Sequence, residues 1–387
     1  MRKIKTYNNI SPVGLARLPA DFYEVGPEVD NSEAIILRSA NLHDETIPDT
    51  VKAIGRAGAG VNNIPVEDMT RQGIAVFNAP GANANAVKEL VIAGLLMGCR
   101  NICQAWDYVN QLDADDNDLK KLVEDGKKKF AGFELPGRTI GVVGLGAIGR
   151  SVANVCLSLG MDVIGYDPSL TVEGAWKLSS NVQRAKDMKD VLKAADFITF
   201  HVPLNEHTRD MISMESIGSM KPGMTVLNFA RGGIVNDAAA VQALEDGQMH
   251  AYVCDFPSNI LKGNPRVIAL PHLGASTREA EENCAIMVAD EIRDYLENGN
   301  VVNSVNFPEV SMPRSTDYRL AIANTNVPNM LGQISTLLAD ADINISDMIN
   351  QSRGDLAYTL VDVDIAIPAS VVESISAIDG ILFARTI

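Results

Sequence analysis

Short apolar runs rich in β-branched residues alternate with longer amphipathic stretches along most of this chain. Ala34 to Leu37, Val51 to Ile54 and Ile74 to Phe77 form a first set. Thr139 to Val143, Val163 to Tyr166, Phe197 to His201, Thr225 to Phe229 and Val267 to Ala269 form a second. Such alternation predicts βαβ units and the α/β class, here as two Rossmann-like lobes, each a doubly wound parallel sheet. Between the sets, Val87 to Arg100 is apolar for too long to be a strand and predicts a buried helix crossing between lobes. Asp113 to Lys129 is polar, acidic first and basic afterwards, with Gly126 interrupting it. It reads as a solvated helix pair or loop.

The texture changes at Asn303 to Asp317, where two prolines stand among polar residues without periodicity, as in a linker. Beyond it, Tyr318 to Ala323, Ile343 to Gln351, Tyr358 to Ile367 and Leu382 to Thr386 are strand-like. Met330 to Ala339 and Val371 to Ile378 are helix-like. The order βαββαβ predicts a ferredoxin-like unit.

Composition narrows the function classes. A length of 387 residues suggests two or three domains. Lys and Arg number 33 against 49 Asp and Glu, a formal charge of −16, which argues against a nucleic-acid or anionic-membrane surface. An anionic substrate must therefore meet local positive charge. No run approaches the roughly 18 apolar residues of a membrane span. The start, MRKIKTYNNISPVG, lacks the apolar segment of a secretion signal, so a cytoplasmic protein is expected. The five cysteines, Cys99, Cys103, Cys156, Cys254 and Cys284, sit in apolar contexts and read as reduced, buried small hydrophobes rather than as metal ligands.

Candidate chemistry begins where Thr139 to Val143 runs into Gly144, Leu145, Gly146, Ala147, Ile148 and Gly149, followed by a helical stretch. A strand before this GxGxxG and a helix after it make a dinucleotide site. Gly144 permits the tight turn, Gly146 the approach of a pyrophosphate, and Gly149 the packing of helix on strand. Asp167 ends the next strand, where its carboxylate accepts the ribose hydroxyls and repels a 2′-phosphate, favouring NAD over NADP. Arg231, in Asn228-Phe229-Ala230-Arg231-Gly232-Gly233, and His272, in Leu270-Pro271-His272-Leu273-Gly274, each follow a strand. Hydride transfer between nicotinamide and a 2-hydroxy acid needs a group that exchanges the hydroxyl proton and a cation that holds the carboxylate. His272 and Arg231 have those properties.

These residues resemble the D-isomer-specific 2-hydroxyacid dehydrogenases. The likeness extends over Arg56-Ala57-Gly58-Ala59-Gly60-Val61-Asn62-Asn63, Phe77-Asn78-Ala79-Pro80, His201-Val202-Pro203-Leu204, Asp255-Phe256-Pro257 and Pro271 to Thr277, in the family's order. It implies a substrate lobe of residues 1–92 completed by 284–304, an NAD lobe of 93–283, a linker of 305–316 and a tail of 317–387, with the active site in the cleft between the lobes. The tail looks like an ACT domain, a ligand-sensing module.

By position, the resemblance puts the backbone of Ala59, Gly60 and Val61 at the substrate carboxylate with Arg231, and Arg38, Ser39, Arg56 and Asn83 towards a phosphate end. It gives the cofactor Gly144, Gly146, Ala147, Ile148, Gly149, Asp167, His201, Pro203, Thr208, Ala230, Arg231, His272 and Gly274, with Asp255 at the carboxamide. It implies oxidation of 3-phospho-D-glycerate at the entry to serine synthesis. Alternatives are a sister enzyme of the glyoxylate, hydroxypyruvate or lactate type, or a non-catalytic NAD-sensing protein. The family's Glu that pairs with the catalytic His is missing, since Ser258, Asn259 and Ile260 follow Pro257. In the tail, Asn324, Asn326 and Asn344 are candidates for an L-serine effector. A ferredoxin-like unit exposes edge strands that can pair between copies, so a homo-oligomer is expected, a homodimer or homotetramer.

Overall fold

The computed structural model describes residues 1–387. It divides into two compact units, residues 1–83 with 278–387, and residues 84–277.

The first unit holds a five-stranded parallel sheet of β1 (Arg2–Thr6), β2 (Tyr23–Gly26), β3 (Ala34–Leu37), β4 (Ala53–Arg56) and β5 (Ala75–Asn78), in the order β2-β1-β3-β4-β5. β4 starts two residues later than the apolar run Val51 to Ile54 suggests, and so carries Arg56 at its carboxyl end. The helix Arg278–Asn298 covers one face of the sheet with Val288, Ile292 and Tyr295.

The second unit holds a seven-stranded parallel sheet. Its strands are β6 (Thr139–Val143), β7 (Asp162–Tyr166), β8 (Gln183–Arg184), β9 (Phe197–Phe200), β10 (Met224–Asn228), β11 (Met249–Cys254) and β12 (Val267–Ala269), in the order β12-β11-β10-β9-β6-β7-β8. The order reverses beside β6, and ligands of doubly wound sheets bind at the carboxyl ends of strands at such a point. The apolar helix, Ala84–Arg100, opens this unit. Val87, Val91, Leu95 and Cys99 pack it against Val142, Leu227 and Val253. The charged stretch forms the helix Asp116–Gly126, whose first turn is capped by Asp115 Oδ1 accepting the Asn117 and Asp118 N–H groups, and a 3₁₀ turn Lys127–Phe130. All five cysteines are free, and burial pushes the Cys156 thiol up to about 12. No helix is long and apolar enough to cross a membrane.

The tail folds as βαββαβ, with β13 (Tyr318–Thr325), β14 (Ile345–Arg353), β15 (Leu356–Val363) and β16 (Ile381–Thr386) in the antiparallel order β14-β15-β13-β16. Leu320 and Ile322 face the helices Met330–Asp340 and Ala369–Ser376. Ala321, Ala323, Tyr358 and Leu360, on the other face, join the core of the five-stranded sheet. Arg319 is fully buried there. It forms two bonds with Asp362, at 2.6 and 2.9 Å, and donates to the carbonyls of Asn298, Met312 and Pro313. Segment 305–316, expected as a linker, buries Phe307, Val310 and Met312 in the same core and pairs Val301 with Val310. Its prolines and polar residues hide the apolar anchors between them.

Candidate active site

In the 84–277 unit the residues that bear chemistry stand at the carboxyl ends of parallel strands. After β6, Gly144 at φ 87° turns the chain towards the helix Ala147–Ser158, whose first turn includes Ile148. No side chain caps this helix, so its leading N–H groups remain available to an anion. A Cβ at Gly146 would meet nothing within 4 Å, whereas one at Gly149 would collide with the Gly144 carbonyl oxygen. Open space at the one and close packing at the other fit a pyrophosphate cradle. Asp167, after β7, accepts the Leu145 N–H through Oδ2 and the Ser169 N–H through Oδ1, both at 2.8 Å. Beside it lies a cavity of about 590 Å³ lined by Leu145, Pro168, Leu170, Val182 and Lys186 among others. Apolar walls with a carboxylate at one side suit an adenosine.

His201 lies within 3.1 Å of Thr199 Oγ1, and burial pushes its imidazole down to about 3, so it is neutral at ordinary pH. Thr208 Oγ1 donates to the Pro203 carbonyl and accepts the Asn205 N–H, closing its own loop.

Three strand-end segments are joined by hydrogen bonds. Asn228, buried at the end of β10, accepts the Ala230 N–H at 3.2 Å, donates to the Arg231 carbonyl at 2.8 Å, and takes the Asp255 N–H on its own carbonyl at 3.1 Å. Asp255, buried after β11, accepts the N–H of Leu273 through Oδ1 and of Gly274 through Oδ2, each at 2.8 Å. In this structure both carboxylate oxygens thus hold the histidine loop. His272 adopts φ 55°, a left-handed backbone that costs a non-glycine residue roughly 1–2 kcal/mol. Its exposed ring lies 5.0 Å from that of Phe256. No carboxylate of this unit bonds the imidazole. Asn259 is exposed, and the Ser258 hydroxyl is buried without a partner. Arg231 is exposed, with Nη1 donating to the Ala230 carbonyl at 2.7 Å.

In the first unit, Arg56 Nε donates to the Arg38 carbonyl at 2.9 Å, and a Cβ on Gly58 would collide with the Arg56 guanidinium, so glycine clears its path. Asn63 Nδ2 donates to the Ala40 carbonyl at 2.7 Å. Arg38 Nη1 pairs with Glu281 Oε1 at 2.6 Å. Ser39 follows Arg38 on the same loop. Asn78 Nδ2 donates to the Ala59 carbonyl, while the N–H groups of Ala59, Gly60 and Val61 bond no other group of the chain. Asn83 carries a buried Oδ1 without a partner. Asn63, Asn78, Asn228 and Glu281 were not anticipated as site residues, because single asparagines and a helical glutamate carry no spacing signal. Their only cue was position within or beside the motifs.

The tail separates its three candidates. Asn326 is tied to the β14–β15 turn through Gly354 and Asp355, and Asn324 pairs opposite Ala357. Asn344 bonds Asp364 at the other end of β15. At about 3.3 Å per residue, the strand puts roughly 20 Å between them.

Residues 92–274 match the D-isomer specific 2-hydroxyacid dehydrogenase, NAD binding domain. The chain is 36% identical over 351 residues to the D-3-phosphoglycerate dehydrogenase of Methanocaldococcus jannaschii, covering 88% of this chain and 63% of that one. It therefore spans less than two thirds of that relative's length. It is 31% identical over 381 residues to the D-3-phosphoglycerate dehydrogenase of Escherichia coli, covering 94% of this chain and 89% of the other. The cofactor (NAD+)-bound 3-phosphoglycerate dehydrogenase of Entamoeba histolytica shares the fold, with a TM-score of 0.61 at 24% identity over 79% of this chain and 98% of that one.

Proposed function

The chain belongs to the D-isomer specific 2-hydroxyacid dehydrogenases, and from that membership we propose that it oxidises 3-phospho-D-glycerate to 3-phosphohydroxypyruvate with NAD, the entry to serine synthesis. The observation that carries this reading is the hydrogen-bonded series from Asn228 through Asp255 to the His272 loop, which presents a guanidinium after β10 and an imidazole after β12, the two strands that flank β11. NAD, when bound, supplies the nicotinamide that takes the hydride from C2. A ring nitrogen of His272 takes the C2 hydroxyl proton, and the Arg231 guanidinium pairs with the carboxylate and polarises the C2 oxygen. The N–H groups of Ala59, Gly60 and Val61 hold the carboxylate, and Arg38, Ser39, Arg56 and Asn83 serve the phosphate end. Gly146 and the N-terminus of the helix Ala147–Ser158 would hold the cofactor pyrophosphate, and Asp167 the ribose hydroxyls.

One observation favours a second reading. Arg38 already has an anionic partner in Glu281, which suits an unphosphorylated acid of the glyoxylate, hydroxypyruvate or lactate type. NADH formation by the purified protein across 3-phospho-D-glycerate, D-glycerate, glycolate and D-lactate separates the two. The first reading expects the highest kcat/KM with the phosphorylated acid, and a higher value with an unphosphorylated one overturns it.

The tail is read as an ACT domain on the strength of its βαββαβ order and edge-exposed β14. With Asn344 roughly 20 Å from Asn324 and Asn326, a serine touching both sets would bridge two copies of the chain, which supports a homo-oligomer.

A further inference from the structure

The loop that follows β3 carries Arg38 and Ser39, and the side chain that shapes it comes from the loop after β1. Asn8, after β1, sits at φ 67°, and its Oδ1 accepts three successive backbone N–H groups: Arg38 at 3.4 Å, Ser39 at 2.9 Å and Ala40 at 2.8 Å. Three converging amides form a nest of the kind that otherwise captures an anion. Here an amide oxygen of the chain fills it. The carbonyls of the same loop are held from the opposite side, Arg38 by Arg56 Nε and Ala40 by Asn63 Nδ2. With donors and acceptors both committed, the direction in which residue 38 leaves the sheet is set before any ligand arrives, and ordering the loop then costs the ligand little.

We propose that Asn8 is a positioning residue for the anionic end of the substrate: it fixes the Arg38–Ala40 loop, and through it the Arg38 guanidinium and the Ser39 hydroxyl, without touching substrate itself. This deepens the proposed phosphoglycerate reading and rests on it. The position of Asn8 in the fold makes the assignment specific. β1 and β3 are adjacent parallel strands, with Thr6 opposite Ile36, so residue 8 and residues 38–40 leave the same sheet edge side by side. A left-handed backbone at residue 8 aims its short amide back at the neighbouring loop, as Asn does at this φ with little penalty.

The test is Asn8→Gly, which removes the acceptor while tolerating the positive φ. Reduction is followed with NADH and either 3-phosphohydroxypyruvate or hydroxypyruvate, which lacks the phosphate. The expected result is a KM for the phosphorylated substrate raised by about tenfold with kcat within about twofold. kcat/KM for hydroxypyruvate and the melting temperature should hold near the wild-type values. An unchanged KM overturns the proposal, as does a parallel fall with both substrates, which would mark a merely structural residue. Amide hydrogen exchange of Ser39 and Ala40 gives a readout independent of activity. Faster exchange in Asn8→Gly is expected, and unchanged exchange contradicts the assignment. If wild type fails to use the phosphorylated substrate at all, the functional reading fails, while the exchange measurement still decides whether Asn8 holds the loop.

Discussion

The backbone carbonyl of Asp255 accepts the N–H of His272 at 3.1 Å, so the residue that follows β11 sets the backbone of the candidate acid–base group without bonding its ring. The side chain of Asp255 completes the arrangement through Leu273 and Gly274. These bonds offset the left-handed conformation at His272. Asp255→Ala should orphan both N–H groups and lower kcat/KM by about 10²-fold or more. Steady-state kinetics beside a thermal melt check this, and a melt that collapses without a specific kcat effect would mark Asp255 as structural only.

Asp167 has two roles that one substitution separates. Its carboxylate braces the Leu145 N–H within the glycine turn, and in the proposed cofactor site it would repel a 2′-phosphate. NAD should be used far better than NADP, and Asp167→Ala should narrow the ratio of their kcat/KM values while weakening both. Equal use of the two cofactors by the unmodified protein would refute the assignment.

The tail should behave as part of the first unit's core. Arg319→Ala leaves Asp362 buried and unpaired, and removing one partner of a buried pair costs about 3–5 kcal/mol. Denaturant unfolding measures it. Burial alone would raise the Asp362 carboxyl, but the Arg319 bonds and the Ser315 N–H outweigh it and hold the group below the usual range. That share of stability is therefore present above the unfolded carboxyl value, about 4, and lost as pH falls through the lower folded one. A chain truncated near Ser315 should expose Phe307 and the Phe77–Tyr295 contact and lose stability rather than merely lose regulation.

Glu291 predicts the opposite slope. It is buried, with Oε1 accepting from Asn303 at 2.6 Å and Oε2 without a partner, and burial raises its carboxyl to about 8. The folded state binds its proton more tightly, so this group's contribution falls as pH rises from about 4.3 to about 8. Glu291→Gln should raise the melting temperature at pH 8 relative to wild type far more than at pH 5. Equal shifts at both would show that the acid is not the cause.

Much of this layout is legible in the residues themselves, and the gaps have physical reasons. Five of the seven strands of the second unit follow from continuous apolar runs, and the glycine turn follows from its flanks; β8 escapes because it is the polar pair Gln183-Arg184, and β11 because His250 interrupts its apolar run near the start. β1 and β2 escape because RKIKT and YEVG place charged residues among the apolar ones, β2 at the sheet edge and β1 beside it. The Arg319–Asp362 pair spans 43 residues, and only antiparallel pairing brings the two together. The same register separates Asn344 from Asn324, which their shared residue type does not reveal. Asn8, Asn63 and Asn228 read as ordinary turn residues until the partners of their amides are known.

In the proposed reaction His272 exchanges a proton during NAD-dependent oxidation of a phosphorylated 2-hydroxy acid. The most direct test is NADH formation from 3-phospho-D-glycerate by wild type and His272→Ala at one pH and saturating NAD. Turnover by wild type is expected, with a loss of about 10²–10⁴-fold in the variant and NAD affinity retained. Turnover in the variant within a few-fold of wild type would contradict it.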